Sequence, residues 1–332
     1  MPRKLTPLPQ KLGAVFTRSE ASRVGVGSRR LLQQDVERII EGVYRRRDRL
    51  PRPPRDLSPA GVMVWEHRTL AESVGAYLPP GLFFSGRTAA AIWHLPVTLK
   101  PGDPLEVASF LPKRASADPG LASRTVLPRL ARVVQHRGVR VTDPATTWAM
   151  LAPRLSFDDG VALGDAIVLR PRVPGTNRLK RRPHATIDEL AAVADHWRRP
   201  GAPRLRALLP RLVTQSASPP ESHLRLRIQE WGLLAPVLDY DVFDDDGLLL
   251  GCSEFAYPEL CLALEYEGAQ HLTQAAQWNR DITKYQHYTQ AGWEVLRVTS
   301  QLLYLRRDEL HWQIAEAIAR RTRQLHTGTR AA

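Results

Sequence analysis

The sequence predicts a multi-domain α/β protein. Proline- and arginine-rich breaks at 51–58 and 170–183 cut the 332 residues into segments of domain size. Hydrophobic residues make up 43% of the chain, enough to build packed cores rather than a disordered tail. From Ser218 onward, apolar positions switch between helical spacing and strand alternation in the order helix, three strands, helix, strand, helix.

The ends and the cysteines bound the setting. No run approaches the roughly 20 consecutive apolar residues of a spanning helix. The N-terminal MPRKLTPLPQKL has no apolar stretch of signal-peptide type. A cytoplasmic protein without a membrane partner is expected. Cys252 and Cys261 are too few for a disulfide framework and fall in strand-like runs, so both are expected to be reduced and buried.

Charge is unevenly placed on a chain of net +13. Residues 1–56 hold fourteen bases against six acids, whereas between Glu221 and His271 eleven acids face only Arg225 and Arg227. Such a distribution points to phosphate binding in one place and cation binding in another.

In the first 56 residues, Ser19 is expected to cap a short helix over Glu20 to Val24. Gly25-Val26-Gly27 supplies a turn, and Ser28 caps a second helix with Leu31 and Leu32 inward. Val36 to Tyr44, broken at Glu41-Gly42, reads as a hairpin. Two helices, a glycine turn and a hairpin are the parts of a winged helix-turn-helix, in which Arg29, Arg30, Arg45 and Arg46 would contact DNA phosphates.

Residues 57–169 are expected to form an α+β region. It has a helix over Arg87 to Trp93, strands at Leu105 to Phe110 and Arg132 to His136, and a helix opened by Asp143 before Pro144. His94, His136 and Asp165 are scattered there and read as core or surface residues. Residues 170–216 read as a basic linker and a helix, and the run RPRVPGTNRLKRRP is an exposed loop basic enough to touch nucleic-acid backbone.

The last region, 217–325, is the most regular. SPPESHLRLRIQEWGL is a capped helix with Leu224, Ile228 and Trp231 on one face, and PVLDYDVF, LLLGCSEFAY and LCLALEYEG are three strands of a meander. A helix over Gln274 to Ala291 ends at Gly292, WEVLRVT is a fourth strand, and a last helix runs from Asp308 to about Leu325. The Asp244-Asp245-Asp246-Gly247 run reads as a hairpin turn rather than a calcium loop, because its neighbours do not supply ligands at the required spacing.

Within this region Glu265 and Glu267 lie two apart on a strand and project to one face, and alternation from Leu250 through Cys252 brings Glu254 beside them. A buried, unpaired carboxylate costs several kcal/mol, so the cluster needs compensation. An all-oxygen set suits a hard cation, Mg²⁺ or Mn²⁺, ligated by Glu254 and Glu265. Glu221 either closes the capping box of its helix or joins the cluster. His271 follows Gly268 at the strand's mouth, where it would orient phosphate or water, and Lys284 on the next helix would line a nucleic-acid groove or form a surface pair with Asp281.

The run SEFAYPELCLALEYEGAQH, with Asp281 and AGWEVLRVT after it, resembles the small endonuclease-like domain related to very-short-patch-repair endonucleases, within the PD-(D/E)XK superfamily. The resemblance covers residues 217–325 and implies a restriction-endonuclease-like α/β domain with a mixed sheet. It implies catalytic roles for Glu221, Glu254, Glu265, Glu267 and His271, a Mg²⁺ or Mn²⁺ cofactor and DNA as substrate. Two departures stand out: Glu254 replaces the usual Asp, and Glu267 replaces the usual Lys. More loosely, the first 170 residues, with SGRTAAAIWHLPV and RVTDPATTWAML, resemble the AbiEi-type antitoxin module of type IV toxin–antitoxin systems, which implies a cognate toxin or a homo-oligomer as partner.

The function expected is a metal-dependent DNA endonuclease delivered by its winged helix. The alternative is a non-catalytic, antitoxin-like DNA-binding regulator that retains an inactive nuclease fold, and an RNA-directed factor is a third reading.

Overall fold

The computed structural model describes residues 6–268 and 275–328. The chain folds as two compact units, residues 1–151 and 152–332. Both are α/β, and three sheets are present among the described residues, two of them mixed.

The first unit opens with β1 (Val15–Thr17), α1 (Arg18–Arg23), β2 (Val36–Ile40) and β3 (Val43–Arg46), the strands forming an antiparallel sheet in the order β1-β3-β2. Thr17, not Ser19, caps α1, because Thr17 and Glu20 close a reciprocal capping box. The expected second helix is a single 3-10 turn, Arg30–Leu32. Leu31 is buried, but Leu32 is 83% exposed rather than inward. Three residues per turn place successive side chains about 120° apart, so one turn cannot bury both. The hairpin forms where expected, with Gly42 at φ +73° in its turn.

A second layer follows: α2 (Pro59–Val74), β4 (Leu82–Phe84), α3 (Gly86–Ile92), β5 (Leu105–Phe110), β6 (Leu121–Val126), β7 (Val133–His136), β8 (Val139–Thr142) and α4 (Pro144–Leu151). The five strands lie in the order β6-β5-β4-β8-β7, and Asp143 accepts from Thr146 N–H at 2.8 Å to cap α4 as expected. Ile39, Ile40 and Val43 of the hairpin pack into the same core as Ala71, Val74, Phe84 and Val107, whereas Leu8, Leu12, Phe16, Val26, Leu31 and Tyr44 form a separate core within the first 56 residues. Gly86 has φ +55°, and a Cβ there would stand 1.9 Å from Glu106 Oε2. A bare backbone therefore lets buried Glu106 reach the start of α3, where it pairs with Arg87 and Arg124.

The second unit begins with α5 (Phe157–Val168), α6 (Ile187–Ala194), α7 (Ala202–Leu208) and α8 (Pro219–Glu230). Asp165 on α5 is fully buried and accepts from Arg225 at 2.9 Å and Ser222 at 2.7 Å on α8. This buried pair ties α5 to the C-terminal elements, which is why the compact unit starts at 152 and not at the sequence break near 170.

A four-stranded sheet completes it: β9 (Val237–Phe243), β10 (Leu249–Tyr257), β11 (Leu262–Glu267) and β12 (Glu294–Thr299), in the order β12-β11-β10-β9. β9, β10 and β11 are antiparallel neighbours and β11 runs parallel to β12. α9 (Ala275–Gln290) links β11 to β12, and α10 (Ser300–Tyr304) and α11 (Arg307–Gly328) follow. Strand alternation divides the packing in two. Phe255, Tyr257, Leu262 and Leu264 share a core with Leu224, Ile228, Leu310 and Ile314, whereas Ala256 and Ala263 pack with Tyr288 and Trp293 on the opposite face. Small alanines let α9 lie close to the sheet. No helix among the described residues is long and apolar enough to cross a membrane.

Candidate active site

The site forms where the β10–β11 ladder opens. Its last paired residues on that side are Phe255 and Leu264, so Glu254 and Glu265 are the next position on each strand and project to the α9 face. Beyond them, Tyr266 N–H donates to Glu254 Oε2 at 2.8 Å.

Each carboxylate has its own environment. Glu265 is 4% exposed, and Lys284 Nζ on α9 donates to its Oε1 at 2.9 Å. Burial pushes the Glu265 carboxyl above the usual range, and Lys284 counteracts it. Glu254 keeps a partial opening to solvent but is pushed well up, first by desolvation and then by Glu221 and Glu265. Glu221, in the first turn of α8, accepts from Ser218 Oγ and from Ala217 N–H, both at 2.7 Å. It too is raised by burial, with Glu265 and Asp239 adding repulsion. Glu221 therefore completes the helix cap and also stands within electrostatic reach of Glu265, so the two alternatives are not exclusive. Glu267 is more open, accepting from Tyr285 Oη at 3.1 Å and Arg297 Nε at 2.7 Å.

Lys284 thus meets Glu265 and Arg297 meets Glu267, while Glu221 and Glu254 are held by their own hydrogen bonds. Lys284 is the direct partner of the deepest carboxylate, and its side chain keeps 20% exposure. Its ammonium also lies 5.3 Å from the Tyr288 ring centroid, which together with the Glu265 bond holds it in place. Tyr285 and Arg297 were not singled out in the sequence. Arg297 was within reach, because β12 pairs with β11 and sets Arg297 opposite Glu265. His271 and the side chain of Asp281 lie outside the described residues.

The expected phosphate contacts in the first unit divide differently. Arg29 is exposed. Arg30 makes a two-pronged bond to Asp35, at 2.8 and 2.5 Å, and Arg45 bonds Glu37 at 2.9 Å. Arg46 is corrected outright: it is 5% exposed, bonds Asp48 with two nitrogens and donates to the Pro9 carbonyl at 3.0 Å, so it braces the N-terminal segment. Both cysteines are unpaired thiols, as expected, although each is only partly buried.

The donor set of the cluster fits a hard cation in chemistry. Glu254 and Glu265 offer only carboxylate oxygens, and Lys284 bonds one of the two. Among the described residues no group of three or more His, Cys, Asp or Glu is gathered to hold a metal. The residues that would hold one are the adjacent pair Glu254 and Glu265.

No known protein-family profile matches the chain. Two uncharacterized proteins of Mycobacterium tuberculosis, from strains CDC 1551 and H37Rv, are each 28% identical over 187 residues, which is 54% of this chain and 65% of theirs. The chain thus spans just under two thirds of the length of these curated relatives.

Proposed function

We propose that residues 217–325 are a restriction-endonuclease-like domain that hydrolyses phosphodiester bonds in DNA with Mg²⁺ or Mn²⁺. One observation carries this reading: buried Glu265 and half-buried Glu254 stand on neighbouring strands at the open end of the β10–β11 ladder, with an ammonium on the deeper one. Adjacent carboxylates withdrawn this far from water are costly, and a bound cation is the simplest compensation. The cation, held by Glu254 and Glu265, would supply charge neutralisation at the phosphate and a lower pKa for attacking water. Lys284 counteracts the burial of Glu265 and fixes its carboxylate. Its position on α9 supplies the positive charge missing from the third strand, where Glu267 stands. Tyr285 and Arg297 anchor Glu267 at the outer rim.

The test is incubation of the purified protein with plasmid, single-stranded DNA and RNA in Mg²⁺, Mn²⁺ or EDTA. Metal-dependent cleavage of plasmid supports the reading; cleavage of RNA alone redirects it to an RNA-cleaving factor.

A second reading has its own observation. Glu254 Oε2 is committed to the Tyr266 N–H and Glu265 Oε1 to Lys284, and the raised carboxyls can relieve their repulsion by protonation. On this account the protein is an antitoxin-like DNA-binding regulator, with the acidic cluster kept neutral. Absence of cleavage under every condition, combined with DNA binding, would favour it.

A further inference from the structure

We propose that the basic segment 170–183 is a clamp on the phosphate backbone of double-stranded DNA, built onto the edge of the catalytic sheet. This rests on the nuclease reading for its substrate, and it adds the surface that holds that substrate.

The segment is not a free linker. Val173 N–H donates to the Arg178 carbonyl and Lys180 N–H to the Pro171 carbonyl, both at 2.8 Å, and Arg172 bridges Leu179, closing a short hairpin. Gly175 turns at φ +73° against Leu249. Arg172 then fastens the base of the hairpin to β9, the edge strand, with Nε 2.8 Å from Asp239 Oδ2 and Nη1 2.6 Å from Asp241 Oδ2. Cys252 Sγ on β10 donates to Asp239 Oδ1 at 2.9 Å, locking the same carboxylate from the other side. Asp239 stands close enough to add repulsion at Glu221, and Cys252 is two residues from Glu254. The anchor therefore adjoins the carboxylate cluster.

What the anchor presents is purely cationic. Arg170, Arg178, Lys180, Arg181 and Arg182 are all exposed, and residues 170–183 contain no acid. Arg178, Lys180 and Arg182 make no ion pair among the described residues. Holding like charges together on a structured hairpin is unfavourable unless an anion neutralises them, and a row of phosphates does so with release of counterions. The segment has no aromatic residue on which an unpaired base could stack. Contact is thus to the backbone, in a manner indifferent to sequence, which fits a duplex rather than a single strand.

The test is DNA binding in EDTA, which does not depend on cleavage. Wild type, R178A/K180A/R181A/R182A and the charge-preserving R178K/R181K/R182K are titrated with a fluorescent duplex at several salt concentrations. Removal of four phosphate contacts should lower the slope of log affinity against log salt by about three to four units and weaken binding on the order of 10²-fold at moderate salt, with the lysine variant close to wild type. An unchanged slope in the quadruple variant overturns the proposal. If wild type never cleaves but the slope falls as stated, the nuclease reading fails and the clamp stands.

Discussion

Lys284 on α9 meets Glu265 on β11 across 2.9 Å, and through this bond the deepest carboxylate of the sheet acquires its counter-charge from a helix nineteen residues further along the chain. Removing the lysine while leaving the glutamate exposes the cost that the pair hides. Lys284→Met is expected to destabilise the protein by about 1–3 kcal/mol at pH 8, since an uncompensated carboxylate is left in the core and the pair itself is only partly screened by solvent. The loss should shrink near pH 4, where Glu265 takes up a proton. Urea unfolding at the two pH values measures it; an equal loss at both would assign Lys284 a packing role.

Glu254 gives the converse effect. Its carboxyl titrates higher in the folded than in the unfolded chain because of burial, Glu221 and Glu265, with Lys284 only partly offsetting them. The folded state therefore favours the protonated form. Stability is complete below the ordinary carboxylate value and falls as pH rises towards the folded value. Glu254→Gln keeps an acceptor for Tyr266 N–H and removes the charge. The variant should be more stable than wild type by about 1 kcal/mol or more at pH 8, and the gain should vanish near pH 4. Thermal melts across that range check the sign.

Asp165 and Arg225 are the other buried pair of the second unit, at 0% and 4% side-chain exposure. Desolvation raises the Asp165 carboxyl, and Arg225 is the first influence drawing it back. Arg225→Met strands Asp165 between α5 and α8 and should cost about 3–5 kcal/mol. Asp165→Asn with Arg225→Met should recover part of that loss, which a double-mutant cycle by chemical unfolding reads directly.

In the first unit, Arg46→Ala is expected to lower stability by about 2 kcal/mol without altering the salt dependence of DNA binding, because its guanidinium is spent on Asp48 and the Pro9 carbonyl. Arg29→Ala, at an exposed position, is the variant that should leave the melting temperature unchanged. A DNA-binding defect in Arg46→Ala at full stability would contradict this assignment.

Strand alternation made the second unit's sheet legible, because a period of two places Glu265 and Glu267 on one face of β11, and the β10–β11 register, with Phe255 opposite Leu264, brings Glu254 beside them. The capping of α8 by Ser218 and of α4 by Asp143 was equally visible, since each motif is closed within four residues. Lys284 was not legible as the partner of Glu265. That depends on how α9 lies across the sheet, which Gly251, Ala256 and Ala263 permit by their small size. The misreading near Ser28 has a local cause: Arg30 is drawn to Asp35 and to the Thr6 carbonyl, and the chain makes one tight turn there instead of a helix. Arg46 looked like its neighbours in sequence and differs only in facing the core, because alternation along β3 turns it inward beside Tyr44.

The most direct test of the central proposal is conversion of supercoiled plasmid by wild type and Glu265→Gln in Mg²⁺, Mn²⁺ and EDTA. The proposal predicts cleavage by wild type only with metal and a fall of at least 10²-fold in Glu265→Gln, about 2.7 kcal/mol of lost transition-state stabilisation. Cleavage that persists in EDTA, or equal rates in the two proteins, would contradict it.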